Sequence, residues 1–278
     1  MPSSPPPRLA LIACRVLETE LAHFLPQAPH VVRTEFLDVG LHDRPGFLHT
    51  ALAAALARAE DDPAVEAVAL VYGVCGLGTM GLRPARCPLV LPRAHDCLTL
   101  FLGSKERYAD IMRRTPDVYW YTPGWNRARR VPGPDREAAL RSEYTKKFGV
   151  EDAEALIAME RASFFEHGRA VYTDFGLPDS AAEKAYAQTC ATWLGWPCEE
   201  QPGDSSLLRA LLAGEWDAER FLVVPPGQQT AFSADTRVVK AVATGLGAAC
   251  EPSPLASPSS ALLPPEPCPP PATVPVVS

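Results

Sequence analysis

The sequence predicts an α/β protein, with mostly parallel, Rossmann-like sheets covered by helices on both faces and a helical insertion. Three observations carry this expectation. Short apolar runs alternate with longer segments whose apolar residues recur every three to four positions. The runs at 9–13 and 65–72 are apolar at nearly every position, as strands buried on both faces require. The βα rhythm also occurs twice, on either side of a helical stretch at 136–167. With 278 residues, 47% of them hydrophobic, the chain is long enough for one large domain or two small ones.

Each element follows from local pattern. Residues 1–8 form a Pro/Ser leader without apolar periodicity. A strand at 9–13 precedes Leu17, Leu21, Phe24 and Leu25 at helical spacing, and 31–37 alternates as a strand does. Phe47, Leu48, Ala51, Leu52, Ala55, Leu56 and Ala59 mark an amphipathic helix that Asp61, Asp62 and Pro63 end. Strands at 65–72 and 89–91 flank a glycine loop. Helices at 97–102 and 105–113 break at Gly103 and Ser104, and 118–121 is a strand. Residues 122–134, rich in Pro, Gly and Arg, predict a long binding loop.

Two helices fill 137–148 and 153–165. A strand at 170–173, a helix at 180–194, a strand near Cys198, a helix at 205–213 and a strand at 221–224 complete the pattern. Ten of the 30 prolines fall in the last 28 residues, which predicts a disordered tail. The expected organisation is a leader at 1–8, an α/β unit at 9–135, the helical insertion at 136–167, a βα unit at 168–242 and the tail at 243–278.

Charge and cysteine usage narrow the function classes. With 26 basic against 33 acidic side chains the net charge is −7, which argues against nucleic acid as a partner. The longest apolar stretch, 64–82, contains Glu66 and four glycines, so it reads as a strand entering a loop and not as a membrane span. The apolar run at 9–13 is too short for a secretory signal, so a reducing cytoplasm is the expected compartment. Eight cysteines in a chain of this length are not a disulfide scaffold.

In open parallel sheets, ligands bind at the carboxyl ends of strands. There the sequence places Cys14, then Tyr72, Gly73, Cys75 and Gly76, then Arg93, His95, Asp96 and Cys97, and finally Gly124 and Trp125. Three cysteines and a histidine thus converge on one sheet edge. Thiolates and imidazole suit zinc or an iron–sulfur cluster, with Cys14, Cys75, Cys97 and His95 as metal ligands. His95 and Asp96 are candidate catalytic acid/base residues. Tyr72, Gly73, Gly76, Arg93, Gly124 and Trp125 are expected to contact a small-molecule substrate. Asp96 is placed to cap a helix beginning at Cys97, where free N–H groups would lower the thiol pKa.

Other motifs point elsewhere or nowhere. Residues 76–81 fit G-x-G-x-x-G, but Pro84, Pro88 and Pro92 interrupt the helix that dinucleotide binding needs, which leaves a loop suited to close backbone approach. The segment 41–46 has the histidine and glycine of a cobalamin loop, but Gly40 stands where the aspartate would be. Arg127, Arg129, Arg130, Arg136 and Arg141 read more simply as a solvated face than as an anion clamp.

Taken together, Cys14-Arg15-Val16-Leu17-Glu18, Tyr72-Gly73-Val74-Cys75-Gly76-Leu77-Gly78-Thr79, Pro92-Arg93-Ala94-His95-Asp96-Cys97 and Tyr121-Thr122-Pro123-Gly124-Trp125 resemble the domain-of-unknown-function family 1638, over about residues 8–228. The resemblance carries no reaction with it. It implies a link to one-carbon or corrinoid metabolism, with a corrinoid protein or methyltransferase as partner. It also marks Cys14, Cys75, His95, Asp96 and Cys97 as family positions. Three functions follow as expectations: a Cys/His metalloenzyme, a metal-free cysteine catalyst of racemase-like or thiol-transfer type, and a non-catalytic corrinoid or metal accessory protein.

Overall fold

The computed structural model describes residues 5–164, 166–178 and 180–244. The start of the expected leader and the Pro-rich tail from 245 onward, with Cys250 and Cys268, lie outside the described residues. Two mostly parallel sheets and a hairpin organise the chain. The larger sheet contains β1 (Leu9–Cys14), β2 (Val31–Leu37), β3 (Ala67–Val71), β4 (Leu89–Pro92) and β8 (Phe221–Val224), in the order β2-β1-β3-β4-β8. The smaller has β5 (Val118–Tyr121), β6 (Arg169–Tyr172) and β7 (Cys198–Glu200), all parallel. β9 (Gln228–Phe232) and β10 (Val239–Ala243) form an antiparallel hairpin.

Every residue of β1 and β3 is buried, which explains why neither alternates in polarity. α2 (Pro45–Glu60) packs against β1 to β3 through Leu48, Leu52, Ala55, Leu56 and Ala59, the stripe expected from the sequence. α9 (Ser206–Ala213) packs on β3 and β4. The remaining helices are α1 (Glu18–Phe24), α3 (Leu98–Leu102), α4 (Lys105–Arg114), α5 (Pro123–Ala128), α6 (Pro134–Phe148), α7 (Val150–Ala162) and α8 (Ser180–Leu194). Among the described residues no helix is long and apolar enough to cross a membrane.

Four features depart from the expected pattern. β8 runs antiparallel to β4, closing an otherwise parallel sheet. The hairpin β9–β10 is absent from the expectation because Gln228, Gln229 and Thr230 disguise it as a loop. The expected loop at 122–134 begins with α5: Thr122 Oγ1 accepts from Trp125 N at 3.0 Å, and Pro123 sits where its missing N–H costs nothing. The expected boundary at 135/136 also fails to separate the sheets, since β5 lies before it and pairs with β6 behind it.

The arginines at the end of α5 and just after it are internally paired, Arg127 with Glu183 at 2.6 Å, Arg129 with Asp43 at 2.7 Å and Arg130 with Glu143 at 2.6 Å. They hold segments of the fold together and do not form an anion clamp.

Candidate functional site

Strand order fixes where a crevice forms. The order β2-β1-β3-β4 reverses direction of growth between β1 and β3, and a crevice opens outside the carboxyl ends of strands at such a point. Cys14 ends β1, and Cys75 follows β3 by four residues. Beside it the loop after β4 runs parallel to the loop after β3, joined by Val74 N to the Ala94 carbonyl at 2.9 Å and Cys75 N to the His95 carbonyl at 3.2 Å. This approach requires Gly73, where a Cβ would stand 2.4 Å from the Asp96 Cα. The result brings Cys75 Sγ to 3.8 Å from Cys97 Sγ.

Cys75 itself has φ +45°, a left-handed conformation that a non-glycine residue rarely adopts, followed by Gly76 at +64° and Leu77 at +72°. Asp96 secures the other side. Its Oδ1 accepts from Leu98 N at 3.0 Å and Thr99 N at 3.3 Å at the start of α3, and its Oδ2 accepts from the Tyr108 hydroxyl at 2.7 Å. Burial raises the Asp96 carboxyl above the ordinary range despite these donors. Asp96 therefore positions Cys97.

The three thiols influence one another. The Cys14 thiol is lowered from its ordinary value chiefly by the neighbouring Cys97 thiol. Cys97 is pushed well above the ordinary thiol range by Cys14, Cys75 and burial. This reverses the expectation for Cys97, because two neighbouring sulfurs outweigh the N–H groups of a single helical turn. Tyr72 is 1% exposed, and its hydroxyl has no hydrogen-bond partner among the described residues. Burial and the adjacent thiols hold its phenol far above the usual range, so it stays a proton donor.

These groups line a cavity of about 410 Å³ between the edge of the larger sheet and the smaller one. Phe101, Tyr119, Trp120 and Trp125 give it aromatic walls, and Asp38, His42 and Thr122 add polar groups. His42 stacks on Trp125 with ring centroids 5.7 Å apart, and its Nε2 lies 3.1 Å from Asp43 Oδ1. Burial lowers its imidazole pKa, so His42 is neutral near pH 7. No lysine or arginine is among the residues that line this cavity.

Of the predicted site residues, Cys14, Tyr72, Cys75, Gly76, Asp96, Cys97 and Trp125 meet here. His95 does not: it is exposed and stacked on Tyr108 with centroids 6.1 Å apart. Its backbone carbonyl accepts from Cys75 N, while its side chain is not among those that line the cavity. Arg93 spends its guanidinium on the chain's own carbonyls, at Ala218 (2.8 Å), Arg237 (3.1 Å) and Val239, and does not line the cavity. Gly73 and Gly124 make close backbone contacts and are not among the residues that line the cavity. At Gly124 a Cβ would meet the Val16 carbonyl oxygen at 1.8 Å, so the glycine lets α5 dock.

Sequence reasoning missed Asp38 and His42, although the rule that found the cysteines, applied to the end of β2, would have found them. Tyr119, Trp120 and His167 enter through docking of the smaller sheet, for which the sequence carries no local signal. Nor does residues 76–81 open a helix. Gly78 instead packs on Leu48, whose Cδ2 would lie 2.5 Å from an added Cβ.

Among the described residues no group of three or more His, Cys, Asp or Glu side chains is already closed enough to hold a metal ion. The close pair is Cys75 and Cys97, with Cys14 facing Cys97. No curated protein and no solved structure matches the chain. A family model does match, over residues 36–212, so that Cys75 and Cys97 fall inside the match and Cys14 before it. The chain belongs to the family described as protein of unknown function, DUF1638.

Proposed function

We propose that Cys14, Cys75 and Cys97 hold a single soft metal ion, zinc by preference, in an enzyme that acts on a compact, largely apolar substrate. The carrying observation is geometric: Cys14, Cys75 and Cys97 line one cavity, Cys75 and Cys97 with their sulfurs 3.8 Å apart, and among the described residues no lysine or arginine lines it. Without a cation such a set holds little negative charge, and Cys97 is accordingly kept protonated. A soft divalent ion supplies the missing positive charge.

The donor spacing supports one ion over a cluster. Two thiolates on a tetrahedral zinc, at Zn–S of about 2.3 Å, lie roughly 3.8 Å apart, and Cys75 and Cys97 stand at 3.8 Å. In an iron–sulfur cluster of four irons each thiolate binds a different iron, which spreads the sulfurs further. A zinc so held would activate a thiol or water at its fourth position. Tyr72 would keep its proton and donate a hydrogen bond toward the sulfurs, His42 would offer a neutral imidazole, and the aromatic walls would exclude water. The one-carbon or corrinoid-linked setting implied by the family resemblance suits a thiolate site in an apolar cavity.

Metal analysis of the full chain, purified anaerobically and supplied with zinc, tests this reading. About one zinc per chain is expected, with no visible absorption, and occupancy should fall more than tenfold in Cys75→Ser and Cys97→Ser. Circular dichroism should show both variants folded. Several irons per chain with a visible band would replace zinc by a cluster. Absence of any bound metal would overturn the proposal in favour of the second reading, a metal-free cysteine catalyst, which the lowered Cys14 thiol favours.

A further inference from the structure

A second cavity, of about 350 Å³, lies across α5 from the thiols and takes no part in that reading. Thr19, Glu20 and His23 of α1, Arg127 of α5 and Asp174 beyond β6 contribute to its walls. Glu20 is 0% exposed, and among the described residues neither of its side-chain oxygens has a hydrogen-bond partner. Such a group is costly where Leu21 and Phe24, on the same helix, show that apolar side chains fill the neighbouring positions.

The charged and titratable groups facing Glu20 are His23 on its own helix, Arg127 on α5, Tyr172 at the end of β6, Asp174 just after it and Glu183 on α8. Arg127, the arginine among them, is already committed: its Nε donates to Glu183 Oε1 at 2.6 Å and its Nη1 to Thr19 Oγ1 at 3.3 Å. Asp174 spends one oxygen, Oδ1, on Gly176 N at 2.7 Å. The Thr173 hydroxyl, next to Asp174, is also buried without a partner. Among the described residues the walls thus hold two carboxyls, and the guanidinium beside them is engaged with Glu183 and Thr19 and not with Glu20.

We propose that this cavity binds a small organic molecule bearing an ammonium group, with Glu20 as its buried anchor and Asp174 as a second acceptor. Proton traffic follows from the same geometry. Burial holds the Glu20 carboxyl up to about 8, so near pH 7 the empty site is mostly protonated. Forming the ion pair expels that proton, and the ammonium's affinity rises about tenfold per pH unit up to roughly pH 7 and levels off around pH 8.

Isothermal titration of the full chain with n-butylamine hydrochloride, beside 1-butanol as the uncharged counterpart, tests the proposal. Repeating it at pH 7 in two buffers of different ionisation enthalpy counts protons. Expected are saturable binding of the amine, release of nearly one proton, little binding of the alcohol, and at least a tenfold loss of affinity in Glu20→Gln. Glu20→Asp, which keeps the acid on a shorter arm, should retain the proton release. Equal binding of the alcohol, amine binding without proton release or unchanged in Glu20→Gln, or no saturable binding at about 10 mM would overturn it. Cys75→Ser should bind the amine as the wild type does, which keeps this outcome separate from that of the zinc experiment.

Discussion

The two cavities that α5 separates are built from weak acids of different kinds. On one side three thiols and a phenol stand among aromatic walls with Asp38 and Asp96 beside them, and on the other the carboxyls of Glu20 and Asp174 stand with His23 and Arg127 but no thiol. In each, one acid is buried deeply enough to keep its proton at neutral pH: Cys97 through its sulfur neighbours, Glu20 through desolvation. Among the described residues neither cavity pairs that acid with a lysine or arginine, since Arg127 is bound to Glu183 and no lysine or arginine lines the sulfur cavity. The difference lies in which cation each would accept. Sulfur selects a soft metal, and oxygen in a small, partly apolar space selects an organic ammonium.

Glu20 breaks the comparison most sharply, through stability. The unfolded chain ionises Glu20 near the ordinary carboxylate value, while the folded chain keeps the proton until about pH 8. Stability contributed by the neutral form is therefore full at low pH and is lost as pH rises between these values, by at most about 4–5 kcal/mol. Melting curves of the wild type and Glu20→Gln should diverge from pH 5 to 8, with the variant the more stable at pH 8; parallel curves would show that Glu20 is solvated.

Next in size is Gly124→Ala, whose Cβ would meet the Val16 carbonyl oxygen at 1.8 Å. Lifting α5 should cost about 3 kcal/mol in denaturant titrations and impair zinc and amine binding together, because α5 lines both cavities. Loss of only one would show that the cavities are not held by a common wall.

Smallest is Glu60→Gln, which sharpens the contrast with Glu20. Glu60 Oε1 accepts from the backbone N–H groups of Ala85 (2.9 Å), Arg86 (2.7 Å) and Cys87 (3.1 Å). Replacing this satisfied carboxylate by an amide should cost about 2 kcal/mol by chemical denaturation. The same substitution at the two positions is thus expected to move stability in opposite directions at pH 8.

The fold was legible wherever burial and period agreed. The all-apolar runs at β1 and β3 mark buried strands and the leucine and alanine stripe of α2 marks its buried face, whereas β2 was found from its alternating sequence although its residues do not alternate in exposure. The hairpin β9–β10 was hidden because its first strand carries Gln228, Gln229 and Thr230, and it is stabilised by pairing that no local pattern announces. α5 was hidden because Pro123 and Gly124 suggest a loop, although Thr122 followed by proline is also how a helix starts. Within the site, strand ends located all three cysteines. His95 was assigned with them because it is adjacent in sequence, yet it does not line the cavity, whereas Cys97 does. Glu20 carries no sequence signal, since an acidic residue on a short helix ordinarily faces water.

The pairing of β4 with β8 bears on how the molecule is assembled. Leu89 meets Val224 after the chain has crossed the whole smaller sheet and returned, a separation of 135 residues. Closing so long a loop is entropically demanding and makes folding slow compared with that of a locally paired sheet. The smaller sheet is in effect a passenger within the larger one, and β4 keeps an open edge during synthesis until residues 221–224 emerge. Nascent chains ending before that point would expose this edge to one another, so the final strand protects against aggregation as well as completing the sheet.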